Sequence, residues 1–355
     1  VSFVVGFSAP IAAATMAAGE YSASVLKTLE LITPAHQEIW MKSIATGLAL
    51  GIALVHTQKI PVISRFQNVF TLLKITLIVV LIVFGFWLAE PQDISFLPNA
   101  QSLSAILSGS FAVSLVFVMY SYTGWNASAY IINEMDKPHK NLPLSLFLGT
   151  VIVILLYVPV NGVFLYAAPI EAMQGKEEVG YVAAEYIFGK TGGIIMGLLI
   201  SIGLISAVSS MTWAGPRVIQ VIGEDIRMFR FFARKNKNGV PALAIAIQTA
   251  LVVFMILTST FEAVIYYIGF TLTLSSFMAV LGVYVMRYRK PAMPRSYKTW
   301  GYPVTPAIFL LIAIWMMTYL AIDQPVSVLY SLLTLALGVV VYFINQWHRS
   351  RNSAH

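Results

Sequence analysis

The sequence contains no cysteine and few charged residues. The absence of cysteine excludes a disulfide, a thiolate metal site and a cysteine nucleophile within these 355 residues. Charged residues make up only 10% of the chain, whereas hydrophobic residues make up 58% and the mean hydropathy is +0.80. Soluble domains carry about 25% charged residues. The composition therefore excludes an ordinary soluble enzyme, and the high hydropathy excludes a disordered chain.

The hydrophobic residues occur in runs that match the thickness of a membrane. An α-helix needs about 20 apolar residues to cross roughly 30 Å of hydrocarbon. Runs of this kind, bounded by Pro, Gly and charged residues, predict ten spans. The spans cover residues 3–29, 41–56, 66–89, 105–132, 145–168, 191–221, 241–258, 262–286, 304–322 and 326–346. We therefore predict an all-α fold, a polytopic transmembrane helical bundle that forms a single transmembrane domain over residues 1–355.

Lysine and arginine residues predict how this bundle is oriented. Sixteen of the 22 basic residues lie in the loops after alternate spans and in the tail. These segments are 57–66, 133–144, 222–240, 287–303 and the residues after 346. Basic loops remain in the cytoplasm, so an even number of spans places both termini of this chain there. Topology thus explains the net charge of +7, and we predict no nucleic-acid partner.

The centre of the fourth span is polar, which is unusual in a membrane helix. In lipid a helix is interrupted only where it lines a cavity. The patch therefore predicts unwinding near Thr123 and Gly124, with backbone groups available to a zwitterionic ligand. Alternatively, the hydroxyls bond back to their own helix and Gly124 allows close helix packing. The candidate substrate-binding residues are Tyr120, Ser121, Tyr122, Thr123, Gly124, Trp125 and Asn126.

Charged side chains inside predicted spans are a second departure from the apolar pattern. Lys74 lies near the middle of the third span, where an ammonium costs several kcal/mol unless it has partners. It is a candidate functional residue, or else a tether between helices. Glu20, in the first span, either titrates or pairs with Lys27. The sixth span supplies hydroxyls, among them Ser209 and Ser210, which are ligand groups or packing contacts.

The spans contain no pattern typical of catalysis. They hold no His-Glu-His cluster, no serine paired with histidine and no pair of acids. We therefore predict that the protein is not an enzyme and uses neither a metal nor a cofactor.

Several motifs together resemble the amino acid-polyamine-organocation (APC) superfamily. Its sixth transmembrane helix and the loop after it resemble Tyr122-Thr123-Gly124-Trp125-Asn126, Asn133-Glu134-Met135 and Pro138-His139-Lys140-Asn141-Leu142-Pro143. Gly19-Glu20-Tyr21 resembles part of helix 3, residues 65–74 resemble the helix 4–5 loop and helix 5, and residues 295–303 resemble the helix 10–11 loop. The Gly-Trp-Asn version of the helix 6 motif is similar to the L-type amino acid transporter branch.

The resemblance implies a twelve-helix transporter. In this superfamily the first ten helices form two inverted five-helix repeats around a site at the membrane midplane, which is reached alternately from each side. The ten spans would be helices 3 to 12. We therefore expect a chain that is incomplete at its N-terminus and lacks the first two helices.

The resemblance also implies roles for the residues of the fourth span. Backbone groups of Ser121 to Thr123 would bind the amino group of the substrate. Tyr120 or Tyr122 would act as a gate, and Asn126 would be a polar contact.

Lys74 matches the helix 5 lysine of sodium-independent members, which places an ammonium where sodium-coupled relatives hold a cation. By this resemblance we expect the ammonium to contact a hydroxyl of helix 8, either Ser209 or Ser210. Its presence argues against sodium coupling.

The expected function is that of a permease for neutral amino acids, working by sodium-independent exchange or by proton-coupled uptake. Helices 6, 8 and 10 would offer no Asp or Glu to a cationic side chain. One alternative is a transporter of cationic amino acids or polyamines, for which Glu20 would supply an acid. The other is a non-transporting amino acid sensor subunit on the same scaffold.

Partners and location follow from the same resemblance. Animal L-type light chains pair with a heavy chain through a loop cysteine, which this chain lacks. We therefore expect no disulfide-linked heavy chain and a bacterial protein of the inner membrane. Its partners would be the amino acid substrate and the lipid bilayer.

Overall fold

The computed structural model describes residues 2–58, 60–94, 97–100, 102–124, 136–295 and 298–352. These ranges contain ten helices of 13 residues or more and no β-strand. The helices are α1 (Ala9–Thr28), α2 (Gln37–His56), α3 (Ile60–Leu88), α4 (Gly109–Ser121), α5 (Pro138–Ala167), α6 (Val179–Asp225), α7 (Ala242–Thr258), α8 (Phe261–Arg289), α9 (Val304–Asp323) and α10 (Pro325–Asn352). Each helix falls on one of the ten predicted spans, so the predicted all-helical fold is confirmed.

Seven of the helices are long and apolar enough to cross a membrane. The remaining three are α1 and the shorter apolar helices α4 and α7. In α1, twelve of the twenty residues are buried within the protein. A helix that is surrounded by other helices contacts little lipid, so α1 can be rich in small residues rather than in large aliphatic ones. The protein is thus an integral multi-pass membrane protein.

Two helix boundaries differ most from the predicted spans. Helix α4 ends at Ser121, although the apolar run continues to residue 132. Helix α6 begins at Val179 rather than near residue 191, and Gly189 interrupts it with a non-helical φ of 73°. The residues before this glycine form a helical segment with one buried face, which includes Tyr181. This segment extends the helix beyond its apolar run. Hydropathy alone does not detect either boundary.

The chain divides into two compact units. The first unit comprises residues 2–96 and 151–261, which contain α1, α2, α3, most of α5, α6 and α7. The second unit comprises residues 97–150 and 262–355, which contain α4, the start of α5, nearly all of α8, and α9 and α10.

In the first unit, α1 packs closely against its neighbours through small residues. A Cβ atom added to Gly19 would lie 2.5 Å from the carbonyl oxygen of Met41 in α2, so only glycine allows this approach. On the α6 side, the Ser201 hydroxyl donates to the carbonyl oxygen of Ala18 at 2.8 Å and lies 2.8 Å from the Ser22 hydroxyl. Small residues and interhelical hydroxyl bonds are the typical contacts between membrane helices.

In the second unit, α8 contacts α4 and α10 through similar interactions. A Cβ atom on Gly269 would lie 2.2 Å from Val116 of α4. The Phe117 and Tyr266 rings pack edge to face with their centroids 5.4 Å apart. The Tyr267 hydroxyl lies 2.9 Å from the Thr334 hydroxyl of α10. Helix α4, which carries the polar patch, is therefore fixed along one side by α8.

Replacing Gly19 with alanine should destabilise the packing of α1 on α2. The new methyl group would meet a backbone carbonyl that cannot rotate away. Overpacking of this kind costs about 1–3 kcal/mol, so we expect a lower melting temperature in detergent.

The matched control is Gly47→Ala in α2, because no heavy atom lies within 4 Å of the added Cβ atom. This variant should melt at the same temperature as the wild type or higher, since alanine is the better helix former. Equal melting temperatures for the two variants would contradict the close approach of α1 and α2.

Candidate functional site

The polar patch of the fourth span coincides with the end of a helix. Helix α4 starts at an N-cap, Ser108, whose side chain accepts a hydrogen bond from the Phe111 backbone at 3.2 Å. It ends at Ser121 after only 13 residues, and Gly124 follows with a φ of 90°. A side chain rarely adopts this φ, so glycine is required for the turn. The helix therefore ends where the sequence predicts an interruption.

The end of α4 is suited to a positively charged group. The C-terminal end of a helix carries a partial negative charge, because its last carbonyl groups lack helical donors. Two turn hydrogen bonds close α4, from Tyr122 N to the Val118 oxygen at 3.2 Å and from Thr123 N to the Tyr120 oxygen at 3.0 Å. An ammonium group at this end would be stabilised by the remaining dipole.

The hydroxyls of the patch bond back to their own helix, as the alternative interpretation of the sequence requires. Ser121 Oγ donates to the Phe117 oxygen at 2.9 Å, and Thr123 Oγ1 donates to the Tyr120 oxygen at 2.7 Å. Each hydroxyl oxygen still has lone pairs to accept a bond. Tyr120 and Tyr122 are half-buried, whereas Ser121 and Gly124 are exposed. The predicted residues Trp125 and Asn126 lie outside the described residues.

Lys74 lies half-buried in α3, against α6. Its stem lies beside Gly203, since a Cβ atom added to that glycine would be 3.8 Å from Lys74 Cγ. Ser209 and Ser210 are six and seven residues further along α6, which corresponds to about 9 and 10.5 Å of helix rise. Within the described part of the chain, neither serine forms a hydrogen bond with Lys74. The structure therefore does not bring the lysine to the two serines expected to contact it.

The two serines have other partners. Ser209 Oγ lies 2.9 Å from His56 Nε2, and both residues are almost completely buried. Ser210 Oγ donates to the Ala207 carbonyl oxygen at 2.9 Å. His56 was not among the predicted site residues, and its contact with Ser209 corrects the expectation that the spans hold no serine paired with histidine. The burial pattern of α2 gives the missing signal, because Ala49, Ile52 and Ala53 are buried and place position 56 on the same helix face.

Ser206 is the α6 hydroxyl that meets α3. It lies three residues after Gly203, and Thr71 lies three residues before Lys74. Ser206 Oγ is 3.0 Å from Thr71 Oγ1, and Gln67 Nε2 donates to the Ser206 carbonyl oxygen at 3.2 Å. The α6 hydroxyl that faces α3 beside Lys74 is therefore that of Ser206, rather than that of Ser209 or Ser210.

Glu20 belongs to a polar network near the C-terminal end of α1. Gln37 lies between Glu20 and Lys27: its Nε2 donates to Glu20 Oε1 at 2.5 Å, and its Oε1 accepts from Lys27 at 2.9 Å. Nearby, Ser24 Oγ donates to Glu178 Oε1 at 3.0 Å. The network thus joins α1 to the starts of α2 and α6. Glu20 and Lys27 are connected through an amide rather than by a direct ion pair.

Metal ligands are not grouped in the ranges that the structure describes. No set of three or more His, Asp or Glu side chains there could hold an ion.

Comparison with known proteins identifies relatives of the chain. The sequence profile of the amino acid permease family matches residues 1–344. The b(0,+)-type amino acid transporter 1 of Rattus norvegicus is 24% identical over 297 residues, which cover 82% of this chain and 60% of that protein. The large neutral amino acids transporter small subunit 2 of Oryctolagus cuniculus is 25% identical over 316 residues, which cover 86% of this chain and 57% of that protein. The chain thus spans less than two thirds of the length of these relatives.

Replacing His56 with alanine should destabilise the protein. It would remove a buried ring and leave the Ser209 hydroxyl without its partner, and an unpaired buried polar group costs about 1–3 kcal/mol. We expect a melting temperature several degrees below that of the wild type.

His139→Ala is the matched control, because His139 is exposed and such substitutions usually change stability by less than about 0.5 kcal/mol. His56→Gln, which can keep a bond to Ser209, should lie between the two. Equal stability of His56→Ala and His139→Ala would show that the buried pair does not hold α2 to α6.

Proposed function

The chain belongs to the amino acid permease family, and we propose that it acts as a secondary transporter that moves neutral amino acids across a membrane by alternating access. The observation that carries this proposal is the end of α4 at Ser121, inside an apolar run. A membrane helix is interrupted where its backbone lines a cavity or binds a ligand. The name of the rabbit relative, a large neutral amino acids transporter, supports the same substrate class.

We assign substrate binding to the segment from Tyr120 to Asn126. The negative end of the α4 dipole at Ser121 to Thr123 would bind the amino group of the substrate. The half-buried tyrosines, Tyr120 and Tyr122, would close over the bound amino acid. Gly124 would keep the backbone free of a side chain at the turn, and Trp125 and Asn126 would complete the segment.

The preference for neutral side chains follows from the charges of the helices. Residues 109–126, 191–221 and 263–286 contain no Asp or Glu. A cationic side chain that was desolvated beside any one of these segments would find no counterion there, which is costly in a membrane. A neutral side chain does not incur this cost.

We assign to Lys74 the role that a bound sodium ion has in cation-coupled carriers. A half-buried ammonium in α3 supplies a fixed positive charge, so the transporter would work by sodium-independent exchange or by proton-coupled uptake. Ser209 and Ser210 contribute to this role only as part of the α6 packing, because Ser209 is bonded to His56.

The orientation and location belong to the same proposal. The sixteen basic residues in alternate loops and the tail support our assignment of both termini of this chain to the cytoplasm. We assign the protein to a bacterial inner membrane. Because these 355 residues contain no cysteine, they offer no disulfide to a heavy chain, and we propose that the carrier acts without such a partner.

In proteoliposomes that contain the full-length protein, neutral amino acids should compete for uptake at least tenfold better than arginine, lysine or putrescine. The physical reason is the absence of an acidic side chain in the helices assigned to the site. The measurement is inhibition of labelled neutral amino acid uptake by each compound. Equal inhibition by arginine would overturn the preference, and specific binding without any flux would favour a sensor.

A pair of glycine variants controls this assay. Gly124→Val places a β-branched residue at a φ of 90° and should abolish uptake without loss of expression. Gly282→Val, at a helical position with no heavy atom within 4 Å of the added Cβ atom, should retain uptake. Equal uptake by the two variants would show that transport does not depend on the turn at Gly124.

Uptake should not depend on sodium, and Lys74→Ala should lose transport more severely than it loses stability. Choline in place of sodium should leave the wild-type rate unchanged within about twofold. Uptake and melting temperature are measured on the same preparation. If wild-type uptake stopped without sodium, or if Lys74→Ala transported normally at every pH, the lysine would be a structural tether only.

A further inference from the structure

The seam between α3 and α6 contains a polar cluster that lies beside Lys74. Gln67, Thr71 and Lys74 are spaced i, i+4 and i+7, so they lie on one face of α3. Opposite them are Gly203 and Ser206, which are three residues apart on α6. We name Gln67, Thr71 and Ser206 the seam cluster.

The seam cluster is held together by hydrogen bonds that leave acceptors available. Gln67 Nε2 donates to the Ser206 carbonyl oxygen at 3.2 Å and lies 3.3 Å from Thr71 Oγ1 and 3.4 Å from Ser206 Oγ. The two hydroxyls are 3.0 Å apart. Gln67 Oε1 is buried and has no hydrogen-bond partner among the described residues. An unpaired buried acceptor is destabilising, so a hydrogen-bond donor is expected beside Gln67 Oε1.

The orientation of the carboxamide is fixed by its surroundings. If the amide were flipped, Gln67 Oε1 would face the Ser206 carbonyl oxygen, and two acceptors would repel each other. The Nε2 atom therefore faces Ser206, and the oxygen is the atom that lacks a partner.

Lys74 is the donor that the geometry supplies. Its ammonium can donate three hydrogen bonds, and it makes none with any residue that the structure describes. Side chains on a helix point towards its N-terminus, which directs Lys74 to the level of Thr71. Because Gln67 Nε2 reaches Thr71 Oγ1, the carboxamide head of Gln67 also lies near that level rather than two turns away.

We propose that the seam cluster is a binding position of the Lys74 ammonium, with Gln67 Oε1 and the hydroxyl oxygens of Thr71 and Ser206 as its acceptors. This proposal rests on the proposed function, because it describes where the lysine is held during part of the transport cycle. Gln67 is then a positioning residue for Lys74, and it need not touch the amino acid.

Few charged residues surround the seam, so the stability of the Lys74 ammonium depends on the neutral acceptors of the seam cluster. Helix α3 carries no charged residue besides Arg65 and Lys74, and α6 carries none between Lys190 and Arg217. Residues 151–167 of α5, which pack against α3, also carry none. With no carboxylate in these segments of α3, α5 and α6, the amide and hydroxyl oxygens are what stabilise the ammonium. Neutral acceptors bind more weakly than a carboxylate, so they allow the lysine to release its proton to water.

The test measures the proton affinity of Lys74 in the intact protein. In liposomes, a membrane-permeant amine-reactive ester modifies only the neutral amine, and mass spectrometry quantifies modified Lys74 at each pH. Gln67→Leu and Ser206→Ala should move the labelling midpoint to lower pH by about one unit, a tenfold loss of proton affinity. Gln67→Glu adds a carboxylate and should move the midpoint to higher pH.

Asn68→Leu is the matched control, because it removes the neighbouring carboxamide from an exposed position of the same helix. It should leave the midpoint unchanged. If one Gln67 variant fails to fold, as judged by its melting temperature, the other Gln67 variant and Ser206→Ala still decide the question. An unchanged midpoint in every folded variant would overturn the proposal.

A transport readout separates this proposal from the proposed function. The pH profile of uptake should shift with the labelling midpoint in the Gln67 variants and should stay unchanged in Asn68→Leu. Shifted labelling without any wild-type uptake would support the binding position and contradict the transport function. Normal uptake with unshifted labelling would do the reverse.

Discussion

The structure depends on one constraint, that polar groups away from water must find their partners within the protein. Many hydroxyls bond back to a carbonyl of their own helix, such as Thr15 and Thr212, and others bond between helices. Ser201 bonds to the backbone of α1, and the Tyr267 hydroxyl bonds to Thr334. Among the described residues, buried side-chain atoms without a partner occur only in Thr46, Gln67 and Gln248. Such atoms and the interrupted backbone of α4 are where a ligand or a moving side chain can be accommodated.

The sequence predicted the number and type of the helices because lipid makes a simple demand on composition. A span needs enough apolar residues to cross the hydrocarbon, and ten runs meet or approach that length. The boundaries of α4 and α6 could not be predicted in the same way. They depend on Gly124 and Gly189, whose φ values end or interrupt a helix inside or beyond an apolar run. Hydropathy averages over a window and therefore does not register a single backbone angle.

The candidate site was predicted only in part. The position of a residue along its own helix can be predicted from the sequence, whereas the residues that face it depend on how two helices are aligned. A lysine in the middle of an apolar span can be identified from the sequence alone, because the free-energy cost of burying its ammonium depends only on the surrounding apolar run. Its neighbours depend on the register of α3 against α6, in which Lys74 lies beside Gly203 and Thr71 lies beside Ser206. A shift of three residues, less than one helical turn, exchanges Ser209 for Ser206 as the facing hydroxyl. Ser209 instead contacts His56 of α2, and the two residues are 153 positions apart in the chain.

The seam cluster, as proposed, would give Lys74 an uncharged environment, which suits the coupling role that we assign to it. A carboxylate beside Lys74 would hold the ammonium as an ion pair, and breaking that pair inside a membrane would cost several kcal/mol. An apolar environment would leave the ammonium without partners at a similar cost. Neutral oxygens lie between these extremes, because they offset part of the desolvation cost of the ammonium without holding it in an ion pair. A lysine held in this way can remain protonated or lose its proton with a small change in its surroundings, as a carrier that alternates between two states requires.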